Sequence, residues 1–453
     1  MLFTTNTLRW LEEVLQERFG HRYTLMQSSE LLTLSLPGSE AKITFDHLQK
    51  IFHQSRSNFP CEYWKPSTEG YEAPIKDSLA APSEHPLSTP LIECHELGAT
   101  VHYDILGCTY WMLTRMEEIG RVDLDEHQRF PASSSHAFKF GYLERPVVDE
   151  WMEILGQVIK IVWPNIRLKS SEFTVRVSHD VDYPSRYQFL SYDKAFRSIG
   201  KSIIKHHNYK EAWLIFKTRF LSGSSLMDGD PYNTFHWLFK TSERFGVKSA
   251  FYFFAGSSNK TMDANYDLED ASIKNLIKEI TARGHEIGLH PSYDSYLSDN
   301  KIHLQFLRLL NICRGLGIQQ EEWGGRMHYL RWSHPYTLNQ WADAGLNYDS
   351  TLGYADNIGF RCGTCFEYPA FDPVDQKRLS LRVRPLIVME TVLLNSKYMN
   401  LGTGSDALHR VESIIKKCRA VSGTFTLLWH NSSLNTPQEK ELYINIIRKC
   451  TRI

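Results

Sequence analysis

The sequence predicts an α/β fold in two parts: a (β/α) barrel over residues 172–453, behind a separate N-terminal α/β module over residues 1–165. Three observations support this prediction. From Phe173 onwards, short helices that end at glycine alternate with short apolar strands, which is the repeat of a parallel β/α fold. The polar residues of this half fall at the carboxyl ends of the predicted strands. A length of 453 residues exceeds one ordinary core, so two or three domains are expected.

The second half is a series of helix-strand units. Its first strand is FTVRVSHDVD, and residues 193–221 predict one or two amphipathic helices rich in Lys and Arg. Five pairs complete the series: TFHWLFKTSERFG with KSAFYFFAG, ASIKNLIKEITARG with HEIGLH, HLQFLRLLNICRGLG with EEWGGRMHYL, YTLNQWADAG with LNYDST, and ALHRVESIIKKCRAVSG with TFTLLWHNSS. Because the strand ends of a parallel barrel converge on one face, we expect the polar groups there to meet.

The first half mixes helical and extended segments. Its first twenty residues predict an amphipathic helix, because Glu12, Glu13 and Glu17 interrupt the apolar positions. LLTLSLPG and AKITF predict strands, and YDILGCTYWMLTRMEEIG is strongly patterned. The Pro- and Ser-rich stretch between Gly70 and Pro90 predicts an exposed loop. No reactive cluster stands out in this sequence, so the role of the module stays open.

Composition and charge narrow the classes of function. The 51 basic and 52 acidic residues leave a net charge of −1, which provides no global field to attract nucleic acid or an anionic membrane. The sequence predicts no membrane span and no signal peptide, so we expect a cytoplasmic protein. Cys362 and Cys365 form a lone CxxC, which favours reduced structural thiols over half of a zinc site or a redox pair. The oligomeric state stays open.

The first strand of the second half ends in two carboxylates. Residues two apart in a strand point to the same side, so Asp180 and Asp182 can share one cavity while His179 and Val181 face away. Two close carboxylates repel each other unless a cation neutralises them. A metal bound to one would leave the other as a base. The alternative for Asp182 is that it caps a turn before Pro184.

His290 and Asp294 are four residues apart, and they would lie on one face if a helix began at Pro291. With Asp182 they would supply one nitrogen and two carboxylate ligands to a divalent metal, and leave positions open for water and substrate. The alternative is a histidine beside a loop and an aspartate in the first turn of a helix, where the helix dipole favours it.

Three further residues complete the predicted site. His430 ends the apolar strand TFTLLWHNSS and could protonate a leaving group near neutral pH, although a buried histidine there could also bond to backbone. Arg326 could hold the Asp180 carboxylate through a two-pronged hydrogen bond, a role for which Arg331 competes. His328 could line the same pocket.

Aromatic side chains are dense around these segments, and we expect Tyr293, Trp332 and Trp429, together with His328, to contact substrate. Sugar rings present apolar faces that stack on such side chains. The alternative is that these aromatic residues belong to the core.

At these motifs the chain resembles the polysaccharide deacetylase superfamily, the carbohydrate esterases with a NodB homology domain, over roughly residues 172–435. SHDVD is similar to the first family motif and implies that Asp180 is the catalytic base and that Asp182 binds metal. GHEIGLHPSYD is similar to the second motif, and implies that His290 is its first metal-binding histidine. Asp294 stands where the family has a second histidine. LLWH is similar to the fifth motif and implies that His430 is the catalytic acid.

The resemblance also implies a distorted (β/α) barrel and a divalent metal cofactor, zinc or another first-row transition ion. AFYFFAG looks like the apolar second strand of the family, and Arg326 stands in a loose third motif without its usual proline. The replacement by Asp294 implies a harder ligand set with a different metal preference, or a weak or absent metal. The N-terminal module lies outside the resemblance.

The sequence therefore predicts a metal-dependent hydrolase that removes an N-acetyl or other N-acyl group from a sugar or glycan precursor. Two alternatives stay open. One is a hydrolase of another amide or ester, and the other is a catalytically silent carbohydrate-binding or scaffold protein on the same fold. A cytoplasmic setting suggests a lipid-linked or nucleotide-linked precursor of a bacterial surface glycan as substrate.

Overall fold

The computed structural model describes residues 2–451, and its first half is built on a mixed sheet. The strands of this half are β1 (Thr24–Ser28), β2 (Leu31–Ser35), β3 (Lys42–Phe45), β4 (Cys61–Trp64), β5 (Leu79–Pro82), β6 (Ile92–His95) and β7 (Gly98–Val101). The main sheet has the order β1-β2-β3-β7-β6, in which only the described pair β3 and β7 is parallel. Strands β4 and β5 form a separate antiparallel pair.

The second half contains a larger sheet with mainly parallel strands. They are β8 (Thr174–Val181), β9 (Ser249–Phe253), β10 (Glu286–Leu289), β11 (Gly324–Gly325), β12 (Tyr348–Asp349), β13 (Tyr368–Asp372), β14 (Lys377–Val383), β15 (Val388–Met389) and β16 (Thr424–Leu428). Their order is β13-β14-β12-β11-β10-β9-β8-β16-β15, and β13 and β14 are the antiparallel neighbours. The predicted parallel α/β arrangement is therefore present in this half.

The ladder of this sheet does not close into a barrel, since no described strand joins β13 to β15. The segment between β14 and β15 bridges the remaining gap irregularly. Arg384 donates its N–H to the carbonyl of Asp349 on β12, and Ile387 donates its N–H to the hydroxyl of Thr426 on β16, both at 2.9 Å. Pro385 lies between them and has no N–H for a regular ladder.

Helices pack around both sheets. They are α1 (Thr5–Phe19), α2 (Ile105–Leu113), α3 (His136–Lys139), α4 (Val147–Val162), α5 (Tyr192–Ile204), α6 (Tyr209–Phe220), α7 (Phe235–Phe245), α8 (Ala271–Ala282), α9 (Lys301–Gly315), α10 (Tyr336–Asp343), α11 (Glu390–Leu394), α12 (Ser405–Ala420) and α13 (Pro437–Thr451). Asp270 caps the start of α8 by accepting the N–H of Ser272. Gly246 ends α7 in the left-handed conformation, with φ 65°, which glycine adopts at little cost.

The six predicted units of the second half are present, with residues 193–221 divided into α5 and α6. The strands β11 and β12 are shorter than predicted, at two residues each. The prediction of an exposed loop between Gly70 and Pro90 is wrong at Leu79–Pro82, because these residues form β5 and are all buried. Pairing with β4 satisfies their backbone groups, which overrides the turn-like composition.

The two halves share buried contacts. Trp10 on α1 donates its indole N–H to the carbonyl of Pro369 on β13, at 2.8 Å. Glu118 of the first half lies between Arg115, at 2.8 Å, and Arg361 of the second half, at 2.6 Å, with all three side chains at most 4% exposed. A carboxylate so buried requires its cationic partners, so this cluster ties the halves together. No helix within residues 2–451 is long and apolar enough to span a membrane.

Candidate active site

A cleft of about 360 Å³ opens where the strands of the second half end. Polar side chains lie at or just after the carboxyl ends of the apolar strands β8, β10 and β16 at this edge. The residues that line the cleft include Asp180, Asp182, Tyr183, His290, His328, Tyr329, Thr391, Tyr398, His430 and Arg129. The predicted convergence of distant segments is therefore present in the structure.

Asp180 lies at the floor of the cleft in a buried ion pair. Nη1 of Arg326 is 2.8 Å from Oδ1 of Asp180, and the two side chains are 1% and 3% exposed. The same guanidinium donates to the hydroxyl of Ser178 and to the carbonyl and hydroxyl of Ser350, at 2.9 to 3.0 Å. The contact is made through one nitrogen, so the predicted two-pronged form is not what the structure shows. Arg331 is not the partner of Asp180.

Asp182, His290 and His328 place three potential ligand atoms within 4.8 Å of one another. Oδ1 of Asp182 is 3.2 Å from Nε2 of His290 and 3.9 Å from Nε2 of His328. Nδ1 of His290 donates to the carbonyl of Arg326 at 2.6 Å, and Nδ1 of His328 donates to Asp263 at 3.3 Å. Both rings therefore turn Nε2 towards the same carboxylate oxygen.

This arrangement fits a bound cation. Oδ1 of Asp182 is buried and accepts no hydrogen bond from the described residues. Lone pairs of a carboxylate and an imidazole that face each other at 3.2 Å repel unless a proton or a metal ion lies between them. A histidine that binds metal through one nitrogen usually donates its other N–H to a carbonyl or carboxylate, as His290 and His328 both do. The three residues therefore fit a divalent metal with open coordination positions.

The pKa shifts of Asp182 and His328 agree with this fit, whereas the shift of His290 means that a proton competes with the metal ion at its ring. Burial raises the pKa of Asp182, but the close contact with His290 and the charges of His328 and His430 outweigh it and hold this pKa well below its ordinary value. Burial lowers the pKa of His328. Burial also lowers the pKa of His290, but the carboxylates of Asp180 and Asp182 outweigh it and raise this pKa. An ionised aspartate and a neutral histidine are the forms that bind metal.

Asp294 is not a member of this group, and the structure corrects its expected position. No regular α-helix begins at Pro291, because a 3₁₀ helix spans Tyr293–Leu297. The tighter winding changes the face on which Asp294 lies. Its side chain is 44% exposed and pairs with Arg331 at 3.0 Å. His328 stands in the group in place of Asp294.

His430 lies opposite the histidine pair and contacts two acids. Its Nδ1 donates to Oε1 of Glu390 at 2.6 Å, and its Nε2 is 3.5 Å from Oδ2 of Asp182. Burial lowers the pKa of His430, but the charge of Glu390 outweighs it and raises this pKa to about 10. A raised pKa favours the protonated ring at neutral pH, and a protonated histidine that lines the cleft can serve as a general acid.

The predicted aromatic contacts are mostly wrong. Trp429 is fully buried and donates its indole N–H to the carbonyl of Ser433, at 3.0 Å. Trp332 is 5% exposed and stacks on His334. Neither lines the cleft. Both pack into the core, which was the alternative to substrate contact. Tyr293 does not line the cleft but contacts the ring of Tyr329, which lines it together with Tyr183 and Tyr398.

The first half contributes Arg129 to the lining of the cleft. Arg129 donates to the carbonyl of Tyr329 at 3.0 Å. His127 meets the hydroxyl of Tyr293 at 2.9 Å, and its carbonyl accepts from Nε of Arg331 at 2.9 Å. Tyr329 adopts the left-handed conformation, with φ 60°, which is unfavourable for a residue other than glycine. Contacts between the two halves thus hold the strained backbone of Tyr329 in place at the cleft.

Sequence reasoning missed the acids that orient the histidines. Glu390 could have been noticed, because it is a lone carboxylate within the apolar run LIVMETVLL. Asp263 and Arg129 lie in loops with no comparable signal.

A larger cavity of about 980 Å³ opens at the amino ends of the strands, and it contains none of Asp182, His290 or His430.

Comparisons with known proteins add a family match for the first half. Residues 4–164 match the model of a family of unknown function (DUF7033). No curated protein matches the chain.

Three solved structures are similar to parts of the chain. A protein described as a polysaccharide deacetylase from Mycobacterium smegmatis is 17% identical, with 62% of this chain and 85% of that chain covered and a TM-score of 0.40. Another so described, from Pseudomonas aeruginosa PAO1, is 14% identical over 61% and 83%, with a TM-score of 0.36. Puue allantoinase is 12% identical over 61% and 83%, also at 0.36. TM-scores this low do not assign a fold.

Proposed function

We propose that the protein is a metal-dependent hydrolase that removes an N-acetyl group from a sugar or glycan precursor. The observation that carries this proposal is the convergence of Asp182, His290 and His328 between the carboxylate of Asp180 and the imidazolium of His430. A pair of an ionised base and a protonated acid flanking a metal-ligand set is what amide hydrolysis requires. The motif resemblance in the sequence supports the same reaction class.

Asp182, His290 and His328 would hold the ion, with His328 in the position expected for Asp294. A divalent ion bound there supplies a Lewis acid for the acyl oxygen and lowers the pKa of a coordinated water. We propose that the ion is zinc or another first-row transition ion, because two imidazoles and one carboxylate suit these metals.

Asp180 acts as the base and takes a proton from the attacking water. Arg326 holds the Asp180 carboxylate in place through the 2.8 Å contact and keeps its charge in the buried floor of the cleft. Once the tetrahedral intermediate forms, His430 donates the proton on Nε2 to the departing nitrogen, since an amine leaves poorly without it. Glu390 orients the His430 ring and stabilises its positive charge.

The walls of the cleft suit a sugar. Tyr183 and Tyr329 are 40% and 36% exposed there and offer ring faces against which a pyranose could stack. Hydroxyl groups of Thr391, Tyr398 and Ser432 line the same space. A volume of about 360 Å³ accommodates one or two sugar residues with the acetamido group at the metal ligands.

Acetate release tests the proposal. The protein loaded with zinc, cobalt or nickel is incubated with N-acetylated and O-acetylated sugars and oligosaccharides, and free acetate is measured. We expect release from N-acetylated substrates, and a loss of at least about 10²-fold in kcat for Asp180→Asn. Asp349→Asn is the matched control, because Asp349 is a buried aspartate at the end of β12 that does not line the cleft.

The outcomes separate the alternatives. Release from O-acetylated substrates alone would replace the deacetylase by an esterase. Sugar binding without bound metal or acetate release would favour the catalytically silent protein. Equal losses in Asp180→Asn and Asp349→Asn would count against Asp180 as the base.

A further inference from the structure

We propose that Asp46, His47 and His102, in the first half of the chain, form a second site for a divalent transition-metal ion. Strands β3 and β7 are parallel neighbours, and Phe45 pairs with Val101 at their carboxyl ends. Asp46 and His102 are the next residues on the two strands, so the topology places them side by side. The site shares no residue with the cleft.

The three side chains offer ligand atoms within 4.8 Å of one another. Nδ1 of His102 is 2.9 Å from each carboxylate oxygen of Asp46, and the rings of His47 and His102 are 5.5 Å apart. Two ligands that each lie about 2.1 Å from one ion are separated by roughly 3–3.5 Å. The separation between Asp46 and His102 is close to this, so these two residues could bind an ion by replacing their shared proton, and His47 would join them from within 4.8 Å.

The surroundings favour a cation. The cluster faces a cavity of about 850 Å³, to which Glu30 and Glu84 add carboxylates and Lys50 adds one positive charge. Glu93 lies on the other side, with Oε2 3.8 Å from Nε2 of His102. Three protein ligands leave a tetrahedral ion one position open towards this cavity, where water or a small anion could bind.

A plain hydrogen bond between Asp46 and His102 would explain these two residues but not the third. Nδ1 of His47 is 3.5 Å from the hydroxyl of Ser88, which is longer than a normal hydrogen bond. Its imidazole is therefore available to an ion. Two imidazoles and a carboxylate form a ligand set typical of zinc, nickel, cobalt and copper, and not of calcium or magnesium.

Metal stoichiometry tests this site on the full chain, with cobalt(II) as the probe. Chelator-treated protein is dialysed against cobalt(II), and bound metal is measured for the parent and for His47→Gln, His102→Gln and His290→Gln. We expect two ions in the parent, one in His102→Gln and one in His290→Gln. His47→Gln, at an exposed position, should weaken the second ion at least about tenfold. The matched control is His95→Gln, because His95 is an exposed histidine on β6 outside the cluster.

The outcomes distinguish this site from the proposed catalytic metal. A parent that binds one ion, removed by His102→Gln and kept by His290→Gln, would support the second site and count against metal in the cleft. A parent whose bound ion is removed by His290→Gln but unaffected by both His47→Gln and His102→Gln would overturn the inference. Acetate release should be unchanged in His47→Gln, since the cluster lies outside the cleft.

Discussion

Replacing Arg326 with methionine tests whether its guanidinium offsets the burial of the Asp180 charge. The two groups are 2.8 Å apart, with side chains 1% and 3% exposed. Arg326 also donates to Ser178 and twice to Ser350. Methionine fills much of the same volume, but it removes the positive charge and all of these hydrogen bonds.

The size of the expected loss in stability depends on whether the Asp180 carboxylate stays charged. Removing one partner of a buried ion pair typically costs about 3–5 kcal/mol. An aspartate can escape this cost by taking up a proton, which itself costs about 4 kcal/mol at pH 7 and about 1.4 kcal/mol less for each unit that the pH falls. We therefore expect Arg326→Met to lower the free energy of unfolding by about 4 kcal/mol at pH 7 and by about 1 kcal/mol at pH 5.

Equilibrium urea unfolding of chelator-treated protein at both pH values measures these differences. The control is the double variant Asp180→Asn/Arg326→Met, which has no charge left to bury at this position. It should be more stable than Arg326→Met at pH 7 and should show no extra pH dependence. A loss below about 1 kcal/mol at pH 7, the size of one ordinary hydrogen bond, or an equal loss at both pH values, would refute the reasoning.

Three further predictions concern the cluster and the core. Glu390→Gln removes the charge that raises the pKa of His430, so kcat for acetate release should fall about 10²-fold at unchanged metal content; a kcat within about threefold of the parent would contradict the acid role. Asp294→Asn should leave cobalt(II) affinity within about twofold, while His328→Gln weakens it at least about tenfold in calorimetric titration, and the reverse order would restore Asp294 as a ligand. Burial lowers the pKa of His136 from 6.5 to about 4, so the unfolded chain binds more protons between these values and stability falls by about 2 kcal/mol from pH 7 to pH 5. His136→Gln should remove that part of the pH dependence of urea unfolding, and an unchanged dependence would contradict the buried neutral ring.

The ends of β8, β10 and β16 could be predicted from the sequence because each strand is an apolar run that stops at a polar residue. In a parallel sheet this pattern alone implies that Asp180, His290 and His430 share an edge, and the structure agrees. The open ladder could not be predicted in the same way. It depends on Pro385 and on the two-residue strands β11 and β12. Strands this short give no signal of hydrophobic periodicity.

The remaining differences come from local winding and from loops. Whether Asp294 or His328 joins the ligand group depends on a 3₁₀ turn instead of an α-helical one after Pro291, a difference that residue spacing does not encode. Asp263 reaches His328 from a loop 65 residues away. Tertiary packing brings such partners together, and no sequence pattern predicts them.

The contact between Arg129 and the carbonyl of Tyr329 has a consequence for any attempt to shorten or recombine this chain. A fragment that begins at residue 172 would lose the hydrogen bond from Arg129 that supports the strained Tyr329. It would also lose the first half of the chain, against which its core packs. Grafting a different second half behind the same first half would remove the carbonyl that accepts from Nη1 of Arg129, although Asp125 would still accept from its Nε. We expect related proteins to inherit the two halves as a matched pair, with substrate preference changing when residues 121–131 are exchanged.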